Sequence, residues 1–188
     1  MKGLKHMLTK RQWTIFIFFI IELIFTLFMV AYSGDLSFLT GNLATLLFLA
    51  ALYLEKNERS RTILLLSAVW IIVYGAIGAA NILASMFAAG DSAFLIDLVI
   101  SLSMLAAVFM FSTNYYQSNF RSKERNLGIY VLLLPSIAIG IFNLVTYFNF
   151  IFSPNILVVI MFIFEMLSAL TLPLAMLIYT WMRERRIE

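Results

Sequence analysis

Three carboxylic acids, Glu22, Asp97 and Glu165, lie inside long apolar runs that hold no Lys, Arg or His to pair with them. A charge at the centre of a membrane helix costs about 2.5–3.5 kcal/mol on insertion scales, so such residues face a bundle interior or a wet cavity. There an acid persists only if it keeps its proton or gains a counter-charge. Glu22 stands nine residues past Trp13, about 13 Å along a helix, and Glu165 ten residues past Asn155, about 15 Å from the opposite face. Both depths fall near a bilayer midplane. The two acids are expected to meet there and to share a proton or hold a cation or an amine-bearing solute. The plain structural reading of each is a protonated acid hydrogen-bonded to a neighbouring helix. Asp97 lies about one turn below the surface, where water reaches it.

The uncharged polar residues of the apolar runs are unevenly spread. Asn42, Asn81, Asn143, Asn149, Thr40, Ser85, Thr146 and Tyr147 fall, with Asp97, in the halves away from the basic clusters. Together they predict an outward-facing cavity walled by Phe87, Phe94, Phe142, Tyr147 and Phe150, the mixture of apolar surface and a few polar anchors that a small-molecule site needs. Glu22, Glu165, Asp97, Asn81, Asn143, Asn42 and Tyr147 are therefore the expected solute- or ion-binding residues. For any one of the amides the plain alternative is an interhelical hydrogen bond, worth about 0.6 kcal/mol in a membrane bundle.

Other chemistry is closed off by what the chain lacks. It has no Cys, so thiolate sites are excluded; its single His, His6, precedes Trp13, so there is no His cluster to bind a haem or a metal, and no cofactor is expected. A nucleophile and its base would need His or Lys beside Ser or Thr within the apolar runs, where neither occurs. Asp35 and Asp91 each follow Gly, which is turn chemistry. The chain reads as non-enzymatic.

The elements that must position these residues are membrane spans. With 63% apolar and 12% charged residues the chain lies far from the soluble norm of about 45–50% and about 25%, and one integral membrane domain over residues 1–188 is expected. A hydrocarbon core of about 30 Å needs about 20 helical residues. Six segments suit this, near Trp13–Tyr32, Phe38–Leu54, Ile63–Ala89, Ala93–Tyr116, Gly128–Phe152 and Ile156–Met182. The predicted fold is all-α, a polytopic bundle of six transmembrane helices in a cell membrane of the bacterial plasma type. The first segment is longer than the core of a signal peptide, about 7–15 residues, and is expected to be retained.

All 13 Lys and Arg residues fall into four clusters: Lys2 to Arg11, Lys56 to Arg61, Arg121 to Arg125 and Arg183 to Arg186. The intervening links Ser33 to Ser37, Gly90 to Ser92 and Ser153 to Asn155 contain none. By the positive-inside rule both termini and two loops are cytoplasmic. This anchoring accounts for the net charge of +3 without nucleic acid, and anionic lipid head groups are the expected partners. Residues 1–12 make a basic segment in which Leu4, Met7 and Leu8 alternate with Lys2, Lys5 and Lys10, as a short interfacial helix or a frayed tail would.

Three further patterns bear on packing. Ala76, Ala80, Ala84 and Ala88 form a four-residue stripe beside Gly75 and Gly78, expected to seat another helix of the same bundle, with a docking face for a second protein as the alternative. Pro135 and Pro173 each remove a backbone hydrogen bond and should kink the fifth and sixth helices. Tyr53, Tyr116 and Tyr179 recur every 63 residues, which interfacial tyrosines closing evenly sized hairpins would do without any duplication. In size and span count the chain resembles the substrate-binding subunits of energy-coupling-factor vitamin transporters. It departs from them in its first helix, where Ile15 to Phe28 is bulky and those subunits carry small docking residues. The expected function is a non-catalytic membrane transport or solute-binding subunit for a small molecule or cation. The competing expectation is a regulatory, sensor or accessory subunit that binds a membrane protein partner or a second copy of itself.

Overall fold

The structure is a computed structural model and describes residues 9–34, 37–55, 58–89, 94–117, 120, 122–146 and 156–185. These form six helices: α1 (Lys10–Ser33), α2 (Ser37–Leu54), α3 (Glu58–Ala89), α4 (Phe94–Tyr116), α5 (Lys123–Thr146) and α6 (Ile156–Glu184). Five of them, α1 and α3 to α6, are long and apolar enough to cross a membrane, and α2 adds a shorter apolar run, Asn42–Leu54. The short interfacial helix expected before Thr9 falls outside the described residues. From Lys10 the chain is already helical, because Thr9 closes a capping box: the Gln12 amide donates to Thr9 Oγ1 at 3.2 Å and the Thr9 amide donates to Gln12 Oε1 at 3.0 Å. Gly34, at φ 68°, ends α1 in the left-handed conformation that glycine adopts at no steric cost.

Each helix packs on its neighbours in the chain, and α6 closes back on α1, so the six form a ring. The ring is filled at one end only. At the end carrying the basic clusters, apolar residues three and four apart turn the same face inward. They include Phe48 and Leu52 of α2, Val108, Phe111 and Tyr115 of α4, Ile129 and Leu133 of α5, and Leu172, Met176 and Tyr179 of α6. Phe111 is the hub, its ring 5.6 Å from each of Phe48, Phe120 and Tyr179. Toward the other end burial fades. Among the described residues, α4 buries no side chain before Ala107, and α3 beyond Ala68 buries only Ala79.

Two expectations change here. Ala76, Ala80, Ala84 and Ala88 are all exposed, so the stripe does not seat another helix of this bundle. The side of α3 that meets α4 is one residue round, at Gly75 and Ala79; a Cβ on Gly75 would come within 2.5 Å of Leu105 Cδ2. Tyr179 does not sit among head groups as an interfacial ring. It is fully buried among Phe111, Tyr115 and Phe120, while Tyr116 is exposed. Pro135 and Pro173 lie inside α5 and α6, which run through them unbroken.

Candidate functional site

Where the ring is unfilled, all six helices line a cavity of about 550 Å³. Its wall is mostly apolar, with Ile71, Ile82, Ile100, Met104, Leu105 and Ile139, and is studded with Glu22, Asn42, Thr45, Tyr74, Ser101, Ser136, Asn143 and Ser168. That ratio of surface to anchors is the one expected of a small-molecule site. Glu22 is buried at 2% exposure, in the face of α1 that meets α6. The Ser168 hydroxyl donates to Glu22 Oε2 at 2.7 Å. The Thr171 hydroxyl stands 2.8 Å from that same oxygen and 2.8 Å from the Ser168 carbonyl oxygen. Two polar atoms of lining residues, Asn42 Nδ2 and Ser136 Oγ, are shut off from solvent and make no hydrogen bond. Such atoms cost about 1–3 kcal/mol when left unmade, so they mark places where a partner is missing. Pro173, also in the lining, has no N–H to give to the carbonyl of Ala169 one turn earlier in α6.

Of the seven residues expected at the site, Glu22, Asn42 and Asn143 come together in this cavity. Glu165, Asp97 and Asn81 are exposed, and Tyr147 lies outside the described residues. Glu22 and Glu165 do not meet. The depth of Glu22 is matched on α6 by Ser168, one turn along from Glu165, so a hydroxyl pair replaces the expected second acid. Of the expected aromatic walls, Phe87, Phe94 and Phe142 are not in the lining, and Phe150, like Tyr147, lies outside the described residues. Phe87 and Phe142 are 75% and 60% exposed, and Phe142 borders a separate apolar groove between α4 and α5 with Leu95, Val99 and Pro135. Thr45, Tyr74, Ser101, Ser136, Ser168 and Thr171 were not singled out from the sequence. A polar residue every third or fourth position facing Glu22, as at Ser168 and Thr171, is the signal that would have found the last two.

At the filled end the side chain of Glu55, just past α2, is 6% exposed and gathers a polar cluster. Arg11 Nη2 reaches Glu55 Oε2 at 2.5 Å, Arg183 Nη2 reaches Oε1 at 2.8 Å, and the Tyr179 hydroxyl donates to Oε1 at 2.7 Å. Both guanidinium groups also lie over the Tyr179 ring, 5.6 and 5.9 Å from its centre. This cluster ties the start of α1 and the end of α6 to the link between α2 and α3. Among the described residues no group of three His, Cys, Asp or Glu side chains converges as a metal site. No protein-family profile, curated protein or solved structure matches the chain.

Proposed function

We propose that the chain is a single membrane domain of six spans, with both termini and the two basic links on the cytoplasmic side, that binds or carries a small molecule or cation without catalysis. The cavity faces outward in this reading, because most of its lining comes from the halves of the helices away from the basic clusters. The observation that carries it is the cavity itself, where six helices converge on one buried acid and on polar atoms that lack partners. The competing reading, a subunit that docks another membrane protein, draws support from the exposed alanine stripe of α3.

The natural absence of Cys makes the test direct. Ser101→Cys, in the cavity wall, should react with a membrane-impermeant maleimide added outside intact cells, whereas Arg59→Cys, in a basic link, should react only after permeabilisation. Protein purified gently from its source cells should carry a small molecule visible by native mass spectrometry. That molecule should be lost from Gly78→Phe, since Gly78 lines the cavity and a side chain there has open space to occupy. Labelling of Arg59→Cys from outside, or of Ser101→Cys from neither side, would overturn the proposal.

A further inference from the structure

The hydroxyl of Thr171 has one hydrogen and two acceptors at the same distance, Glu22 Oε2 and the Ser168 carbonyl, each 2.8 Å away. A threonine in a helix ordinarily gives that hydrogen to the carbonyl three or four residues back. Its oxygen then needs a donor, and a proton on Glu22 Oε2 supplies one. The resulting circuit is closed: Ser168 hydroxyl to Glu22 Oε2, Glu22 to Thr171 Oγ1, Thr171 to the Ser168 carbonyl. Each bond in it polarises the next. The circuit engages Glu22 through Oε2 and leaves Oε1 outside it. Among the described residues no cation pairs with the acid. Of the two helices against α1, α2 contributes neutral Asn42 and Thr45 to the wall, and α6 contributes Ser168 and Ala169; Tyr74 of α3 is the only other titratable group among the lining residues. Glu165, on α6 one turn away, is exposed.

We infer that Glu22 is a proton-for-amine exchange site, protonated in the absence of solute and releasing its proton as a solute carrying a protonated amine binds against it. The inference rests on the proposed solute-binding function and narrows its substrate class. The exchange balances: a neutral acid and an ammonium ion become a carboxylate–ammonium pair and one proton passed to water, with no other bond changed. An ammonium group offers up to three N–H donors. Glu22 can accept one of them, and Thr45 and Ser101, which line the same cavity, carry hydroxyl oxygens able to accept others. The unpartnered Asn42 Nδ2 is a donor, so an oxygen elsewhere on the solute completes the site.

Dicyclohexylcarbodiimide tests this, because a protonated carboxyl adds across its C=N bond, hydrogen to nitrogen and oxygen to the central carbon, and a carboxylate does not. In detergent at neutral pH the Glu22 peptide should gain the adduct by mass spectrometry, and the Glu22→Gln peptide should not. Ethanolammonium at about ten times its dissociation constant should lower labelling about tenfold by mass action. Ethylene glycol, which replaces the ammonium with a hydroxyl, should leave labelling unchanged. The wild-type arms stand without the variant should Glu22→Gln fail to fold. Absence of the Glu22 adduct from folded protein, or labelling that ethanolammonium does not lower, overturns the exchange. Equal protection by ethylene glycol overturns it in favour of a neutral solute, and equal protection by potassium in favour of an inorganic cation. The broader function stands or falls separately on the maleimide labelling of Ser101→Cys.

Discussion

Phe111 and Phe142 are the same residue on adjacent helices with opposite surroundings. Phe111, at the basic end, is fully buried with aromatic neighbours on several sides; Phe142, near the other end, is 60% exposed on the rim of an apolar groove. The basic end is a packed plug knotted by Glu55, and the other end is a splayed vestibule whose stability owes little to side-chain interlocking. In lipid, where burial of apolar surface drives helix association weakly, packing and polar contacts decide which parts of a bundle are rigid. The contrast teaches that one ring of helices can hold its cavity open by concentrating those contacts at one end.

The sharpest way to break the contrast is to truncate both phenylalanines. Phe111→Ala should lower stability by about 3–5 kcal/mol, as large core deletions do, and Phe142→Ala by no more than about 0.5 kcal/mol. Thermal melting in detergent measures both; similar losses would mean that the ends are equally packed. Next in size is Glu55→Gln, which keeps an acceptor for Tyr179 but leaves Arg11, 8% exposed, facing a neutral partner. Removing one member of a buried pair costs about 3–5 kcal/mol, and the half-exposed Arg183 places the expected loss near the lower figure. Reversal of much of that loss in the double variant Glu55→Gln with Arg11→Met would show that the stranded charge is its cause.

Two glycines sharpen the picture further. Gly140→Ala puts a Cβ within 2.9 Å of Leu170 Cγ and should cost about 1–3 kcal/mol by overpacking, whereas Gly78→Ala meets open space and should leave melting unchanged or slightly raised. The smallest effect is expected for Ala80→Leu. The stripe alone predicts a clash, but Ala80 is exposed, so stability should move by less than about 0.5 kcal/mol. A large loss in melting temperature would mean that a second chain covers that face.

What the sequence made legible was set by what repeats along it. Apolar length marked the helices because a bilayer demands it of every span, and α3 and α5 exceed their apolar runs only where they enter basic segments at Glu58 and Lys123. Glu22 was legible as a candidate site residue because nothing near it in the chain could pair with it. Its partners were not, since Ser168 and Thr171 are 146 and 149 residues away and resemble ordinary helix hydroxyls. The alanine stripe misled for a related reason. Spacing fixes which residues share a face of a helix, but not which face turns inward, and at Gly75 and Ala79 the close approach to α4 decides that. Glu55 was lost among the basic residues of its link, where an acid reads as one more solvated charge until Arg11 and Arg183 are seen on either side of it.

The contact between α1 and α6 also sets a timetable for biogenesis. Glu22 lies in α1, synthesised before the other five helices, and the hydroxyls that meet it lie in α6, synthesised after them. At about 5–20 residues per second, ribosomes place Ser168 roughly 7–30 s after Glu22. Throughout that interval the acid lacks the two hydroxyls that meet it in the folded bundle. A ribosome stalled before α6 therefore leaves a marked product, one whose first helix still displays the polar group by which membrane quality control can recognise an unfinished bundle.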